Sequence, residues 1–194
     1  TDMLLMPDTT NKLSFEGRFK VKDFALGTFL ESEEKFGKIS MNASINGNTS
    51  GRSIEAVLDG LIDSLELLGY NYRNIRLDGI LTEKHFDGSL KITDPNIEME
   101  FEGKADITSD KPQFDFTANV TRARPYFLNL YKSDPSFFAS FLLKTNFTGK
   151  TIDDLDGEIR LVNSLFREKD QQVQVYDFIL HSAKSGDKKN ITIR

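Results

Sequence analysis

Cysteine and tryptophan are absent from this chain of 194 residues, and histidine occurs only twice. Without cysteine the protein forms no disulfide, has no thiol nucleophile and offers no thiolate ligand to zinc. The absence of disulfides does not identify the compartment, because an oxidising space favours disulfides without requiring them. The two histidines, His85 in a predicted turn and His181 near the end of a predicted strand, form no catalytic pattern that we recognise.

Long apolar runs are missing as well. The longest strongly apolar stretch covers residues 137–143, which is far short of the about 20 residues that a membrane-spanning helix needs. The sequence therefore predicts no transmembrane segment in this chain. The net charge of −5 argues against nucleic-acid binding, which usually depends on a basic patch. With 28% charged and 38% hydrophobic residues, the composition is typical of a globular protein.

The motifs of several common enzyme classes are also missing. No serine lies in a Gly-x-Ser-x-Gly elbow, and the Gly-x-Gly-x-x-Gly pattern of dinucleotide-binding proteins does not occur. Residues 149–151 read Gly-Lys-Thr, like the end of a phosphate-binding loop, but Lys144 stands where that loop needs its first glycine. The sequence thus predicts a protein that is not an enzyme and that has no cofactor and no metal site.

Three groups of charged residues admit both a functional and a structural interpretation. The acidic run at residues 154–158 could bind calcium, but a complete EF-hand loop needs more oxygen ligands, so a polar turn is preferred. The carboxylates Glu98, Glu100 and Glu102 share one face of a predicted strand, and a solvated face explains them better than general acid-base catalysis. Arg122 and Arg124, close to Tyr126, could contact a lipid phosphate or an acidic partner, and an ion pair at the end of a strand is preferred.

The most informative positive feature is an alternation of apolar and polar residues that repeats four times between Tyr72 and Val120. Side chains alternate between the two faces of a β-strand, so each run predicts a strand with one apolar and one polar face. The apolar positions are Ile75, Leu77, Gly79 and Leu81; Phe86, Gly88, Leu90 and Ile92; Ile97, Met99, Phe101, Gly103, Ala105 and Ile107; and Phe114, Phe116, Ala118 and Val120. Short connections between the runs predict an antiparallel meander.

The same alternation continues on both sides of this region. It covers residues 13–21, 39–47, 141–149, 157–161, 173–180 and 189–194. Residues 54–68 mix two periods, and a strand, a bend near Gly60 and a second strand are preferred to a helix. The sequence predicts about ten to twelve strands and little helix, in a single β-rich repeat-type domain over residues 1–194. Because Thr1 is not a natural start and the chain stops inside an alternating run, we interpret it as a fragment of a longer protein.

A sheet of this size must place its apolar face somewhere, and two arrangements remain. The sheet can fold onto itself as a closed β-sandwich, or it can curl and leave its apolar face as a lined groove. Glycine occupies several apolar-face positions, where it removes packing volume and lets the strands bend: Gly17, Gly47, Gly79, Gly88 and Gly103. These glycines favour an all-β fold in which an extended antiparallel meander curls into a taco-like hydrophobic groove, with the closed β-sandwich as the alternative.

Three short repeats carry a family resemblance. Residues 77–81, 86–90 and 101–105 read Leu-Asp-Gly-Ile-Leu, Phe-Asp-Gly-Ser-Leu and Phe-Glu-Gly-Lys-Ala. This pattern of short repeats resembles that of the AsmA-like proteins and, among them, of the TamB-like proteins of translocation and assembly modules. Residues 116–130 resemble the TamB-like proteins of Bacteroides-type bacteria, and residues 151–159 are similar to a unit of that family in which a helical turn precedes a glycine and a strand. The resemblance covers most of the chain, from about Leu13 to Ile193.

The resemblance implies a long periplasmic protein of a Gram-negative bacterium, anchored in the inner membrane by an N-terminal helix. It implies a non-enzymatic role in which a hydrophobic β-groove carries phospholipid, held by its acyl chains, between the inner and outer membranes. Eleven apolar-face residues are predicted to line this groove: Ile75, Leu77, Phe86, Leu90, Ile92, Ile97, Met99, Phe101, Phe114, Phe116 and Val120. Two alternatives stay open. One is an interaction scaffold for outer-membrane protein assembly with a TamA-like barrel partner, and the other is a packed sandwich with a structural role.

Overall fold

The computed structural model describes residues 2–7, 12–50, 53–82, 84–151, 154–185 and 188–194. This part of the chain contains twelve strands and one helix of four residues. The strands are β1 (Asp2–Pro7), β2 (Lys12–Ala25), β3 (Phe36–Ser50), β4 (Ser53–Leu67), β5 (Tyr70–Thr82), β6 (His85–Thr93), β7 (Ile97–Asp106), β8 (Gln113–Ala123), β9 (Phe138–Thr148), β10 (Asp156–Glu168), β11 (Gln171–Ser185) and β12 (Lys188–Ile193). The helix α1 (Leu26–Phe29) lies between β2 and β3.

All twelve strands form one antiparallel sheet, in which the spatial order of the strands is their order in the sequence. The prediction of ten to twelve strands with little helix is confirmed. Residues 54–68 differ from the prediction, because Gly60 lies within the uninterrupted strand β4 rather than at a bend. The chain instead reverses at Leu68 and Gly69, which have positive φ values of 52° and 75°.

The sheet is open at both edges. Among the described strands, β1 and β12 each have a single neighbour, and no second sheet is present. The closed β-sandwich is therefore wrong, since a sandwich needs two sheets packed face to face. The predicted all-β fold, an extended antiparallel meander curled into a groove, is confirmed.

The register assigns each side chain to one face of the sheet, because directly paired residues of antiparallel strands point to the same side. Ile75 pairs with Ile92, Ile92 with Met99, and Met99 with Val120. We call the face that carries these residues the inner face and the opposite one the outer face.

Bulges and register shifts interrupt the alternation inside several strands. Asp23, Asn74 and Asn163 have positive φ values of 52°, 52° and 47°, a conformation that Asp and Asn tolerate better than most residues. The strand pairing shifts register beside Asp23 and beside Asn163. Beside Asn74, residues three apart rather than two apart are buried, namely Tyr72 and Ile75. Because bulges bend the strand that carries them, they contribute to the curl of the sheet.

The connections between strands alternate between two rims of the sheet. One rim is formed by residues 26–35, 68–69, 94–96, 124–137 and 169–170. Residues 124–137, which we call the plug segment, fold over the inner face at this rim, and we call it the plug rim. Leu128 of the plug segment is fully buried in a cluster of inner-face residues on β3 to β6: Ile39, Ile62, Tyr72, Ile75 and Ile92. The main core thus lies at the plug rim and is covered by one segment.

Three glycines pair directly across the inner face. Gly79, Gly88 and Gly103 lie opposite one another on β5, β6 and β7. A Cβ atom on Gly88 would lie 2.6 Å from Cα of Gly79, and a Cβ on Gly103 would lie 2.5 Å from Cα of Phe116. Gly103 also has a φ of 142°, which L-residues rarely adopt. These glycines therefore permit a close approach of backbones that a side chain would prevent.

Candidate functional site: the inner-face groove

The eleven residues predicted to line the groove all lie on the inner face of β5 to β8. Three of them, Ile75, Ile92 and Val120, are buried, with exposed fractions of 3%, 7% and 4%. The other eight are half-buried: Leu77, Phe86, Leu90, Ile97, Met99, Phe101, Phe114 and Phe116. The structure therefore brings all eleven together on one surface, while the lining of a ligand by them stays a prediction.

The buried members belong to the covered zone of the groove, next to the plug rim. Ile75 and Ile92 are in the cluster around Leu128, and Ile97 and Met99 pack against that cluster. Val120 belongs to a second, smaller buried cluster against which Met99 also packs. Ile75 and Ile92 pack around Leu128, so a ligand would reach these two side chains only by displacing the plug segment.

The uncovered zone holds phenylalanine rings on four strands, β6 to β9, in two contacting groups that we call the phenylalanine row. The ring centroids of Phe86 and Phe101 lie 5.9 Å apart, those of Phe101 and Phe116 lie 5.0 Å apart, and those of Phe114 and Phe147 lie 5.0 Å apart. Such tilted contacts at 4.5–7 Å are favourable between aromatic rings. Each ring keeps part of its surface exposed, and no second layer of the described chain lies over the row.

A buried carboxylate organises the plug rim. Asp94, with an exposed fraction of 2%, accepts hydrogen bonds from the Tyr70 hydroxyl at 2.5 Å and from the backbone N–H groups of Asn96 and Arg73 at 2.8 and 3.1 Å. The Asn96 amide donates to the Tyr70 hydroxyl at 3.1 Å. Burial, followed by the hydrogen bond to Asp94, raises the pKa of Tyr70, and burial likewise raises the pKa of Tyr72. This network joins the start of β5 to the connection between β6 and β7.

Hydrogen bonds also link the plug segment to the connections that lie on either side of it along the rim. The Asn129 side-chain amide donates to the backbone carbonyl of Leu68 at 3.0 Å, and the Tyr131 hydroxyl donates to the Glu168 carboxylate at 2.9 Å. The two acceptors lie next to the turns at residues 68–69 and 169–170. The plug segment therefore bridges distant parts of the same rim.

The sequence predicts a strand-end ion pair for Arg122 and Arg124; Arg122 forms one, whereas Arg124 has none among the described residues. The Arg122 Nη2 lies 3.5 Å from the Glu98 carboxylate and donates to the backbone carbonyl of Asp94 at 3.1 Å. The Arg122 Nε is buried without a hydrogen-bond partner among the described residues. These contacts give Arg122 a structural role at the plug rim.

The outer face is polar over β6 to β8, and several of the outer-face charges are paired across strands. Lys91 lies 2.6 Å from Glu100, Lys104 lies 2.9 Å from Asp87, and Arg160 contacts Asp177 through two hydrogen bonds of 2.8 and 2.6 Å. Exposed pairs of this kind contribute little stability, typically below about 1 kcal/mol. A depression of about 340 Å³ is lined by seven polar residues of this face together with Leu90 and Phe101; the polar residues are Arg76, Ser89, Lys91, Glu100, Glu102, Thr117 and Asn119. The outer face has the character of a solvated surface.

The acidic run at residues 154–158 begins with a self-contained turn. The Asp154 carboxylate accepts hydrogen bonds from the backbone N–H groups of Lys150 and Thr151, at 3.0 and 2.6 Å, and from the Thr151 hydroxyl at 2.8 Å. These bonds lower the pKa of Asp154 to about 2. The predicted helical turn over residues 151–155 includes residues 152–153, which lie outside the described part of the chain.

The plug segment is the part of the groove that sequence reasoning missed. Residues 126–131 contain five bulky residues in six without a strand or helix period. Only the structure shows that Leu128 turns inward, whereas Phe127 and Leu130 are 45% and 57% exposed. The available signal is a bulky, non-periodic run directly after Pro125, at the end of a strand.

Comparison of the chain with known protein families, with curated proteins and with solved structures finds no match. The resemblance to TamB-like proteins therefore stays a prediction. Within the described residues, no helix is long and apolar enough to cross a membrane.

Proposed function

We propose that the inner-face groove holds the acyl chains of phospholipid and that the protein is a non-enzymatic lipid-carrying segment. The observation that carries this proposal is the uncovered row of half-buried phenylalanines on an open, curled sheet. A soluble sheet normally buries such a face under a second layer. A face that stays apolar, continuous and uncovered needs an apolar occupant, and an acyl chain has the matching shape and chemistry.

Burial of methylene groups supplies the favourable free energy of such binding, so no specific polar site is required. Each methylene removed from water contributes about 0.8 kcal/mol, so about eight methylenes against the groove contribute roughly 6 kcal/mol. The transfer term alone corresponds to a dissociation constant of roughly 10 to 100 μM, before the entropy cost of association is subtracted.

The proposal includes the parent protein and the cellular location that the resemblance implies. The chain would be part of a TamB-like or AsmA-like protein of the periplasm, anchored in the inner membrane, and would carry phospholipid between the inner and outer membranes. The polar, ion-paired outer face supports exposure of that face to an aqueous compartment.

Native mass spectrometry with lipid extraction tests the proposal on the purified 194-residue chain. We expect bound phospholipid on the wild-type protein and its loss in Phe101→Asp, because the new carboxylate would lie in the middle of the phenylalanine row. Ser89→Asp is the matched control, since it adds the same charge to the exposed outer face of β6. Folded wild-type protein that stays free of lipid after incubation with phospholipid would contradict the proposal, as would equal binding by both variants.

The open edges of the sheet favour a second candidate function, an interaction scaffold for outer-membrane protein assembly with a TamA-like barrel partner. An edge strand presents unpaired backbone groups that can pair with a strand of another chain. At the β12 edge, Ile191 and Ile193 are 53% and 64% exposed. This candidate predicts binding of extended strand peptides by a protein that carries no lipid, which the same mass spectra would distinguish.

A further inference from the structure

Strand β11 has a long section that is paired on one side only. β10 accompanies β11 over most of its length, whereas β12 pairs only with residues 180–185 of β11. The last contact between β11 and β12 consists of two backbone hydrogen bonds of 3.0 Å between Ile179 and Arg194. Residues 171–178 therefore have no neighbouring strand on that side in the described part of the chain, and we call them the β11 edge segment.

The β11 edge segment is exposed and almost uncharged. Its sequence is Gln-Gln-Val-Gln-Val-Tyr-Asp-Phe, with one charged residue and no lysine or proline. Val173 and Tyr176 are 59% and 70% exposed, although residues of these types favour strands that pack on both sides. Soluble proteins usually protect a free edge with lysine, with proline or by keeping the strand short. β12 follows this rule, because Lys188 and Lys189 are among its six residues, whereas the β11 edge segment does not.

We propose that the β11 edge segments of two copies of this chain pair with each other in an antiparallel arrangement, so that the protein forms a symmetric dimer. A twofold axis perpendicular to a sheet relates two antiparallel strands, and the same segment can therefore serve as both partners. The lengths match as well. β12 ends beside Ile179 and the connection at residues 169–170 bounds the other end, which leaves room for a strand as long as the edge segment itself.

The register supports this pairing on both faces of the sheet. Val173 pairs with Phe166, which packs against the smaller buried cluster of the inner face. Val173 and Val175 therefore lie on the inner face, and Gln172 and Gln174 lie on the outer face. Directly paired residues of antiparallel strands share a face, so the valines of both copies meet on one side and the glutamines on the other. Pairs of β-branched residues are favourable, and the glutamine amides can hydrogen-bond to each other.

The charge and the symmetry of the segment favour a second copy over a strand of another protein. The one charged residue, Asp177, is already ion-paired with Arg160 of the same chain, so no free charge selects a partner of opposite sign. Pairing of the two edge segments satisfies the backbone groups of both copies at once, and the assembly closes at two. Because a twofold axis perpendicular to the sheet does not exchange its faces, the inner faces of both copies lie on the same side.

Sedimentation velocity over a range of protein concentrations tests the proposal. We expect the wild-type protein to sediment with twice the 22.0 kDa mass of one chain and to dissociate on dilution. Val173→Lys should raise the dissociation constant by at least about tenfold, because it brings two lysines together across the twofold axis. Ile191→Lys is the matched control, since Ile191 is 53% exposed on the edge strand β12, and it should leave the dimer unchanged. Both variants should keep the circular dichroism spectrum of the wild type.

The absence of cysteine permits a second test that adds no charge. Val173→Cys and Ile191→Cys each introduce a single thiol, and both proteins are treated with a bismaleimide that has a short spacer. We expect Val173→Cys to yield a crosslinked dimer and Ile191→Cys to remain a single chain. The result is the same for every register that is centred within the β11 edge segment.

Three results would overturn the inference. One is wild-type protein that stays monomeric at every concentration, and another is equal behaviour of the two lysine variants or of the two cysteine variants. The third is assemblies that grow beyond two copies, because these would assign the contacts to the outer edges at β1 and β12. The proposed function is tested separately, since Phe101 lies on β7, away from this edge. Phe101→Asp should lose lipid and remain dimeric.

Discussion

Removal of the Leu128 side chain tests whether the plug segment stabilises the groove. Leu128 is fully buried among inner-face residues, although it belongs to a connection rather than to a strand. Leu→Ala removes three carbon groups, for which the lost transfer free energy is about 2 kcal/mol. A partly relaxed cavity adds about 1–2 kcal/mol. We therefore expect Leu128→Ala to lower the free energy of unfolding by about 3–4 kcal/mol.

Urea unfolding followed by far-ultraviolet circular dichroism measures this change. Leu130→Ala is the matched control, because Leu130 lies two residues away in the same segment and is 57% exposed. We expect the control to change the free energy of unfolding by less than about 0.5 kcal/mol. If Leu128→Ala cost less than about 1 kcal/mol, or no more than the control, then the plug segment would not be an integral part of the core, and the reasoning would be refuted.

Three further perturbations test other features of the fold. Gly103→Val should lower the free energy of unfolding by about 2–4 kcal/mol, because its side chain would collide with the backbone of β8; an unchanged urea midpoint would contradict the close approach. Asp154→Asn should weaken the pH dependence of stability. The pKa of Asp154 is lowered to about 2 in the folded state, so its contribution is full above the unfolded value of about 4 and is lost as the pH falls towards about 2. Urea midpoints measured across that window should fall less in the variant than in the wild type. Tyr70→Phe should cost about 1–2 kcal/mol at neutral pH, because the buried Asp94 carboxylate loses one of its donors, and equal stability of variant and wild type would show that water replaces the hydroxyl.

The strands of the sheet and the composition of its inner face were predictable from the sequence. A period of two is a local property, and it places Phe86, Phe101 and Phe116 on one face without knowledge of the fold. The meander follows because each connection between these runs is too short for anything but a hairpin. The preference for a groove was also correct; it came from the glycines of the apolar face, which remove packing volume and let the strands bend.

The covering of the groove was not predictable in the same way. The burial of Leu128 depends on contacts with residues more than 30 positions away in the sequence, such as Ile39 and Ile92. The bulges at Asp23 and Asn163 are also invisible to a rule of strict alternation, because one extra residue in a strand reverses the face of all that follow. The structure thus shows which part of the groove is covered, whereas the sequence indicates only which residues would line it.

Because the strands follow one another across the sheet in sequence order, the number of strands sets the width of the sheet. Neighbouring strands are about 4.8 Å apart, so twelve of them extend roughly 50 Å across the sheet, and each additional hairpin would add about 10 Å. Duplication or loss of a hairpin far from the plug segment would change this length without disturbing any buried cluster. A chain built in this way can be lengthened or shortened over evolutionary time one hairpin at a time, as solenoid proteins are by whole repeats.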